Sequence, residues 1–115
     1  MEDVEHLILG AGPAGLRAAH VLAEAGREVL VLEKHADVGP KTCAGGLTLK
    51  TMRELEAMGL PPDAAMRRVG HVAFAGGRAV ALDADTTVIH TIARRDLGRL
   101  QLAWTRSAGA EVRTG

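Results

Sequence analysis

A chain of 115 residues has room for one domain at most, and its 47% hydrophobic content comes almost wholly from aliphatic residues, with one Phe, one Trp and no Tyr, so its core is thin. Fourteen basic and fourteen acidic residues give zero net charge, and Arg67-Arg68 and Arg94-Arg95 are isolated pairs, so no basic face argues for nucleic acid. A single cysteine, Cys43, excludes an intrachain disulfide and supplies too few thiols for a structural zinc site. The acidic start Met1-Glu2-Asp3 lacks the basic region of a signal peptide, and no apolar run approaches the roughly 18 residues of a transmembrane segment, which favours a cytoplasmic protein.

The first predicted element is an apolar strand, Leu7-Ile8-Leu9, running into Gly10-Ala11-Gly12-Pro13-Ala14-Gly15, a G-x-G-x-x-G turn. In that pattern Gly10 allows the tight turn, Gly12 carries no side chain to block a pyrophosphate, and Gly15 lets the next helix lie close to the sheet. Pro13 suits the first helical position because its missing N–H is one the helix does not use. Leu16, Ala19, Leu22 and Ala23 keep helical spacing up to a C-cap at Gly26, and Val29-Leu30-Val31-Leu32 reads as a buried parallel strand ending at Glu33. Glu33 follows Gly15 by 18 residues, close to the roughly 20-residue spacing at which a carboxylate accepts the hydroxyls of an adenosine ribose. The same carboxylate repels a 2′-phosphate, which disfavours NADP here. A G-x-G-x-x-G alone is weak in a chain with 14 glycines, but strand, turn, helix, strand and acid in register predict a Rossmann-type β-α-β dinucleotide site.

A loop from Lys34 to Thr42 leads into Cys43-Ala44-Gly45-Gly46-Leu47, whose paired glycines let main-chain N–H groups approach a planar or anionic ligand. Thr48 or Thr51 caps a helix carrying Leu49, Met52, Leu55, Glu56 and Met58, which ends at Gly59. Val69 to Ala75 and Arg78 to Leu82 flank Gly76-Gly77, the pattern of a two-residue β-hairpin, and a further strand covers Thr86 to Ile92. Leu97, Leu100, Ala103, Trp104 and Ala108 mark an amphipathic helix that stops at Gly109, after which Ala110-Glu111-Val112 begins a strand. His20 and His90 are expected to be structural.

Gly10-Ala11-Gly12-Pro13-Ala14-Gly15, Glu33-Lys34, Lys41-Thr42-Cys43-Ala44-Gly45-Gly46-Leu47, and Arg94-x-x-Leu97 before Gly109-Ala110-Glu111-Val112 occur in this order in the geranylgeranyl reductase family, whose N-terminal portion the chain resembles along its whole length. Members are FAD-dependent oxidoreductases of the para-hydroxybenzoate hydroxylase fold type that reduce isoprenoid double bonds. The resemblance implies an α/β fold: an incomplete FAD/NAD(P)-binding Rossmann-like domain over residues 1–115, with 69–92 as a β excursion belonging to a substrate sheet that is largely missing. Gly10, Gly12, Ala14 and Gly15 would hold the FAD pyrophosphate and Glu33 the adenosine ribose, with Lys34 also among the cofactor-binding residues. Cys43, Ala44 and Gly46 match a loop along the flavin, and Arg94 matches a basic residue that contacts FAD, with Arg95 as a register-shifted rival. A guanidinium suits that place because it offers forked donors and stays charged.

Cys43 is the candidate catalytic residue, and its thiol can pack and position, take a direct part in reduction, or do neither. No metal site is expected. The implied partners are FAD, a prenyl or lipid substrate and an electron donor such as NAD(P)H or ferredoxin, with peripheral attachment to a membrane. Because family members run to several hundred residues, the chain reads as a fragment, expected by itself to hold FAD weakly or not at all and not to turn over. Two other classes stay open: an FAD-dependent monooxygenase or halogenase of the same fold, and a non-catalytic dinucleotide-binding module.

Overall fold

The computed structural model runs, in chain order, through β1 (His6–Leu9), α1 (Pro13–Glu24), β2 (Val29–Glu33), β3 (Gly46–Leu47), α2 (Leu49–Met58), β4 (Arg67–Val69), β5 (His71–Ala75), β6 (Ala79–Asp83), β7 (Ile89–Thr91), α3 (Arg94–Ser107) and β8 (Glu111–Thr114). It describes residues 2–41, 43, 45–61, 67–69, 71–75, 79–83 and 89–115, with the backbone alone in β4, β5 and β6. The chain divides into two units, Met1–Thr42 with Arg94–Gly115, and Cys43–Ala93.

In the first unit β2 is the central strand of a parallel sheet ordered β1-β2-β8. Register places Ile8 beside Val31 and Val31 beside Val112, and this row packs with Leu16, Ala19 and Ala23 of α1 into the core. Alternate strand residues face the other way. Leu7, Leu9 and Leu32 are 53%, 77% and 37% exposed, whereas Leu30 is buried, so β2 is not buried throughout and departs from the expected run only at its end. Helix α1 begins at Gly12 with Pro13 in its first turn and buries His20 beside its apolar stripe.

Helix α3 turns a different face inward from the one its apolar residues suggest. Its buried positions are Leu97, Gly98, Gln101 and Thr105, whereas Leu100 is exposed. The reason is polar: the Thr105 hydroxyl donates to the carbonyl of Leu16 at 3.1 Å, tying α3 to α1, and Gly98 lets the backbone of loop 35–41 come close. Replacing Thr105 by Val, which keeps the shape, should cost about 1 kcal/mol and no more, because the Leu16 carbonyl retains its own helical acceptor role. A shift of the denaturant midpoint at unchanged slope would measure it.

In the second unit Thr48, not Thr51, caps α2: its side chain accepts the N–H of Thr51, and the helix buries Met52, Leu55 and Met58 before ending at Gly59. Strand β7 lies between β3 and β4, antiparallel to both. Gly46 and Leu47 therefore form a short strand paired with Thr91 and His90 rather than an open loop. The single strand expected from Val69 to Ala75 is split, β4 joining β7 and β5 joining β6. The hairpin register pairs Ala75 with Ala79, and the two-residue turn expected at Gly76-Gly77 lies outside the described residues. Of the strand expected over Thr86 to Ile92, β7 is the part within the described residues, and Ile92 lies beyond its end.

Candidate functional site

The site is built where β1 gives way to α1. Gly10 has φ +102°, a left-handed conformation that side chains avoid, and its N–H donates to the Leu32 carbonyl at 2.8 Å, holding the turn against β2. Gly12 is in an extended conformation and has only open space where a side chain would stand. Gly15 is pressed against the strand: a Cβ there would lie 2.1 Å from the Gly10 carbonyl oxygen and 3.4 Å from Ile8 Cγ2. No side chain caps α1, so the amides of Ala14 and Gly15, among those that a helix start leaves without internal partners, are open to an acceptor.

Glu33 closes the far side of the turn. Its Oε2 accepts the N–H of Ala11 at 2.8 Å and its Oε1 accepts the N–H of His35 at 2.9 Å. Those two backbone donors, Ala11 first, hold the carboxyl below the usual carboxylate range, so it is an anion at neutral pH.

Two depressions meet at Glu33. The smaller, about 160 Å³, is lined by Gly12 and Pro13 at the helix start, by loop residues including His35, Asp37 and Lys41, and by Arg94. Arg94, not Arg95, lines it; Arg95 and Arg99 each reach Asp37 at 4.0 Å. The larger, about 610 Å³, has Leu9 and Leu32 with Gly10, Glu33, Lys34 and Arg113 at the strand ends. A ligand anionic in its middle and flat and apolar at one end suits this pair: helix-start amides and Arg94 for the anion, the carboxylate for hydroxyls, and the leucines for a ring. That is the chemistry of a dinucleotide.

Gly10, Gly12, Ala14, Gly15, Glu33, Lys34 and Arg94 thus all belong to the first unit. Cys43 and Gly46 belong to the second, and Ala44 lies outside the described residues. Cys43 is exposed, and its Sγ accepts the N–H of Gly45 at 3.4 Å. Gly45 itself is held inside its unit, with φ +76° and a Cβ position 2.1 Å from the Ile92 carbonyl oxygen, so its N–H does not stand free for a ligand. Sequence reasoning missed the contact of Gly98 with Gly39, which shapes the loop beside Arg94. A glycine in mid-helix was the available signal.

The FAD binding domain family matches residues 3–115. The chain is 37% identical over 115 residues to digeranylgeranylglycerophospholipid reductase 1 of Methanopyrus kandleri, a match covering 96% of this chain and 29% of that protein. Among solved structures it is similar to a geranylgeranyl bacteriochlorophyll reductase-like protein from Thermoplasma acidophilum, with TM-score 0.82, 26% identity, and coverage of 95% of this chain and 29% of that one. It is also similar to p-nitrophenol 4-monooxygenase from Pseudomonas putida, with TM-score 0.81, 25% identity, and coverage of 99% and 32%. The chain therefore spans about 29% of the length of the first of these relatives. Among the described residues no helix is long and apolar enough to cross a membrane. The turn, the carboxylate and these matches agree, and the chain belongs to the FAD binding domain family, with FAD as its cofactor and similarity to the geranylgeranyl reductases among FAD-dependent oxidoreductases.

Proposed function

We propose that this chain is the N-terminal FAD-binding portion of an oxidoreductase that reduces isoprenoid double bonds in a prenyl or lipid substrate. The observation that carries the reading is the match to a digeranylgeranylglycerophospholipid reductase across 96% of the chain. FAD supplies two-electron reducing chemistry when bound. The amides at Gly12, Ala14 and Gly15 with Arg94 take its pyrophosphate, Glu33 takes the ribose, and the ring of the adenine lies toward Lys34 over Leu9 and Leu32. Cys43, Ala44 and Gly46 serve the flavin end, with Cys43 positioning the ring. Residues 1–115 are then part of one FAD/NAD(P)-binding domain, with 69–92 as a β excursion toward the substrate. The enzyme works in the cytoplasm against a membrane surface, where a prenyl lipid is found, and draws electrons from NAD(P)H or a ferredoxin.

The likeness to a monooxygenase supports a second reading, oxygen insertion on the same cofactor domain. Two measurements test the proposal. ADP should bind the enzyme carrying this chain, and adenosine 2′-phosphate 5′-diphosphate should bind at least about tenfold more weakly, since a second anion would face Glu33. In the enzyme carrying this chain, reduced flavin should be reoxidised anaerobically by a geranylgeranyl alkene. Failure there, with oxygen-dependent hydroxylation instead, would favour the monooxygenase.

A further inference from the structure

The bonds that Glu33 makes reach beyond a ribose. Consecutive residues at the end of β2 hold consecutive residues of the glycine turn: the Leu32 carbonyl accepts the N–H of Gly10 at 2.8 Å, and the Glu33 carboxylate accepts the N–H of Ala11 at 2.8 Å. The second carboxylate oxygen accepts the N–H of His35 at 2.9 Å, which fixes the side chain from behind. Ala11 is buried, 2% exposed, so without Glu33 its amide would have no ready access to water and the turn would have to open to hydrate it. We infer that Glu33 is a positioning residue that fastens the phosphate-binding turn in its working shape before any nucleotide arrives, in addition to any contact with ribose.

The two duties are compatible. A carboxylate offers about four acceptor sites, two on each oxygen, and the backbone uses one on each. Glu33 lines both depressions, so the hydroxyls of a ribose spanning them meet the remaining sites. The inference rests on the dinucleotide reading for its ligand but not for the clamp, which the free protein already contains.

The sign of one substitution separates the clamp from a ribose contact. 2′,3′-Dideoxy-ADP has no ribose hydroxyls for Glu33 to accept. If Glu33 acted only on ribose, Glu33→Ala would leave its affinity unchanged, or raise it, because a negative charge near the diphosphate is removed. If Glu33 holds the turn, the affinity of the dideoxynucleotide falls by roughly tenfold despite that removal. In the free chain, the same variant should speed hydrogen exchange at the Ala11 amide by about tenfold or more, while the Val31 amide in the core keeps its protection. Glu33→Gln, able to keep one of the two backbone bonds, should fall between.

Unchanged dideoxynucleotide affinity together with an unchanged Ala11 exchange rate would overturn the clamp. Absence of any ADP binding by the wild-type enzyme that carries this chain would instead defeat the dinucleotide reading, and the exchange rates would still decide the clamp. If the variants do not fold, acidification of the wild-type chain decides it. The Ala11 and His35 amide resonances should then move with the protonation of Glu33, the neighbouring Lys34 and His35 being the other ionisable groups acting on that carboxyl. An Ala11 resonance that ignores the titration overturns the inference.

Discussion

Replacement of Gly15 by alanine should lower the thermal midpoint by about ten degrees or more and remove measurable ADP binding. On helix propensity alone the change would be favourable, since alanine is better than glycine within a helix by about 1 kcal/mol. The geometry reverses the sign. The new methyl would sit 2.1 Å from the Gly10 carbonyl oxygen, and that oxygen belongs to backbone fixed by the Gly10–Leu32 hydrogen bond, with Ile8 Cγ2 behind it at 3.4 Å. Relief requires α1 to lift off β1, which unpacks Leu16 and Ala19 from Ile8 and Val31 and moves the helix-start amides. Overpacking of this kind costs about 1–3 kcal/mol or more, well above the propensity gain. Calorimetry and ADP titration on the same preparation would measure both effects, and a stabilised variant that still binds ADP would refute the close approach.

Gly98→Ala is the second large effect, and again the simple expectation has the wrong sign. A glycine in the body of a 14-residue helix invites replacement by alanine with a gain of about 1 kcal/mol. Here the added Cβ would lie 2.5 Å from Gly39 Cα, 2.9 Å from the Val38 carbonyl oxygen and 3.0 Å from Gly39 N, none of which can swing aside as a side chain would. The substitution should therefore destabilise by about 2 kcal/mol and weaken nucleotide binding as well. The second effect follows because Gly39 packs against the backbone of Arg94 and Arg95, its own Cβ position lying 2.8 Å from the Arg94 carbonyl oxygen. Pushing the loop from α3 thus widens the depression in which Arg94 stands. A denaturation curve gives the first effect, and an ADP affinity equal to that of the wild type would contradict the second.

What could be read from the sequence divides along physical lines. The β1-turn-α1-β2 unit with Glu33 was legible because local spacing determines it: glycines at a turn, an apolar stripe with helical period, and a strand rich in Val and Leu. The inner face of α3 was not. Thr105 is buried because its hydroxyl finds the carbonyl of Leu16, 89 residues away, whereas Leu100 is exposed; periodicity ranks Leu above Thr and cannot see the acceptor. Strand pairing in the second unit was hidden for a similar reason. Nothing local tells Gly46 and Leu47 that β7 will come alongside, or that a chain running from Arg67 to Ala75 will divide between two sheets. At the site itself the residue types announced Glu33 as a ribose acceptor, but its bond to Ala11 depends on how the turn folds back, and no spacing rule encodes that.

The central strand acquires its two neighbours across very different lengths of chain. His6 pairs with Val29, 23 residues on, whereas Leu30 pairs with Glu111, 81 residues on. The β1–β2 half should consequently form early and β8 should dock late, after everything between has been reeled in. Yet closing a longer flexible loop is inexpensive, about 0.6 kcal/mol for each doubling of its length. A change in the length of the stretch from Cys43 to Ala93 would therefore cost little in chain entropy to the sheet that frames Glu33.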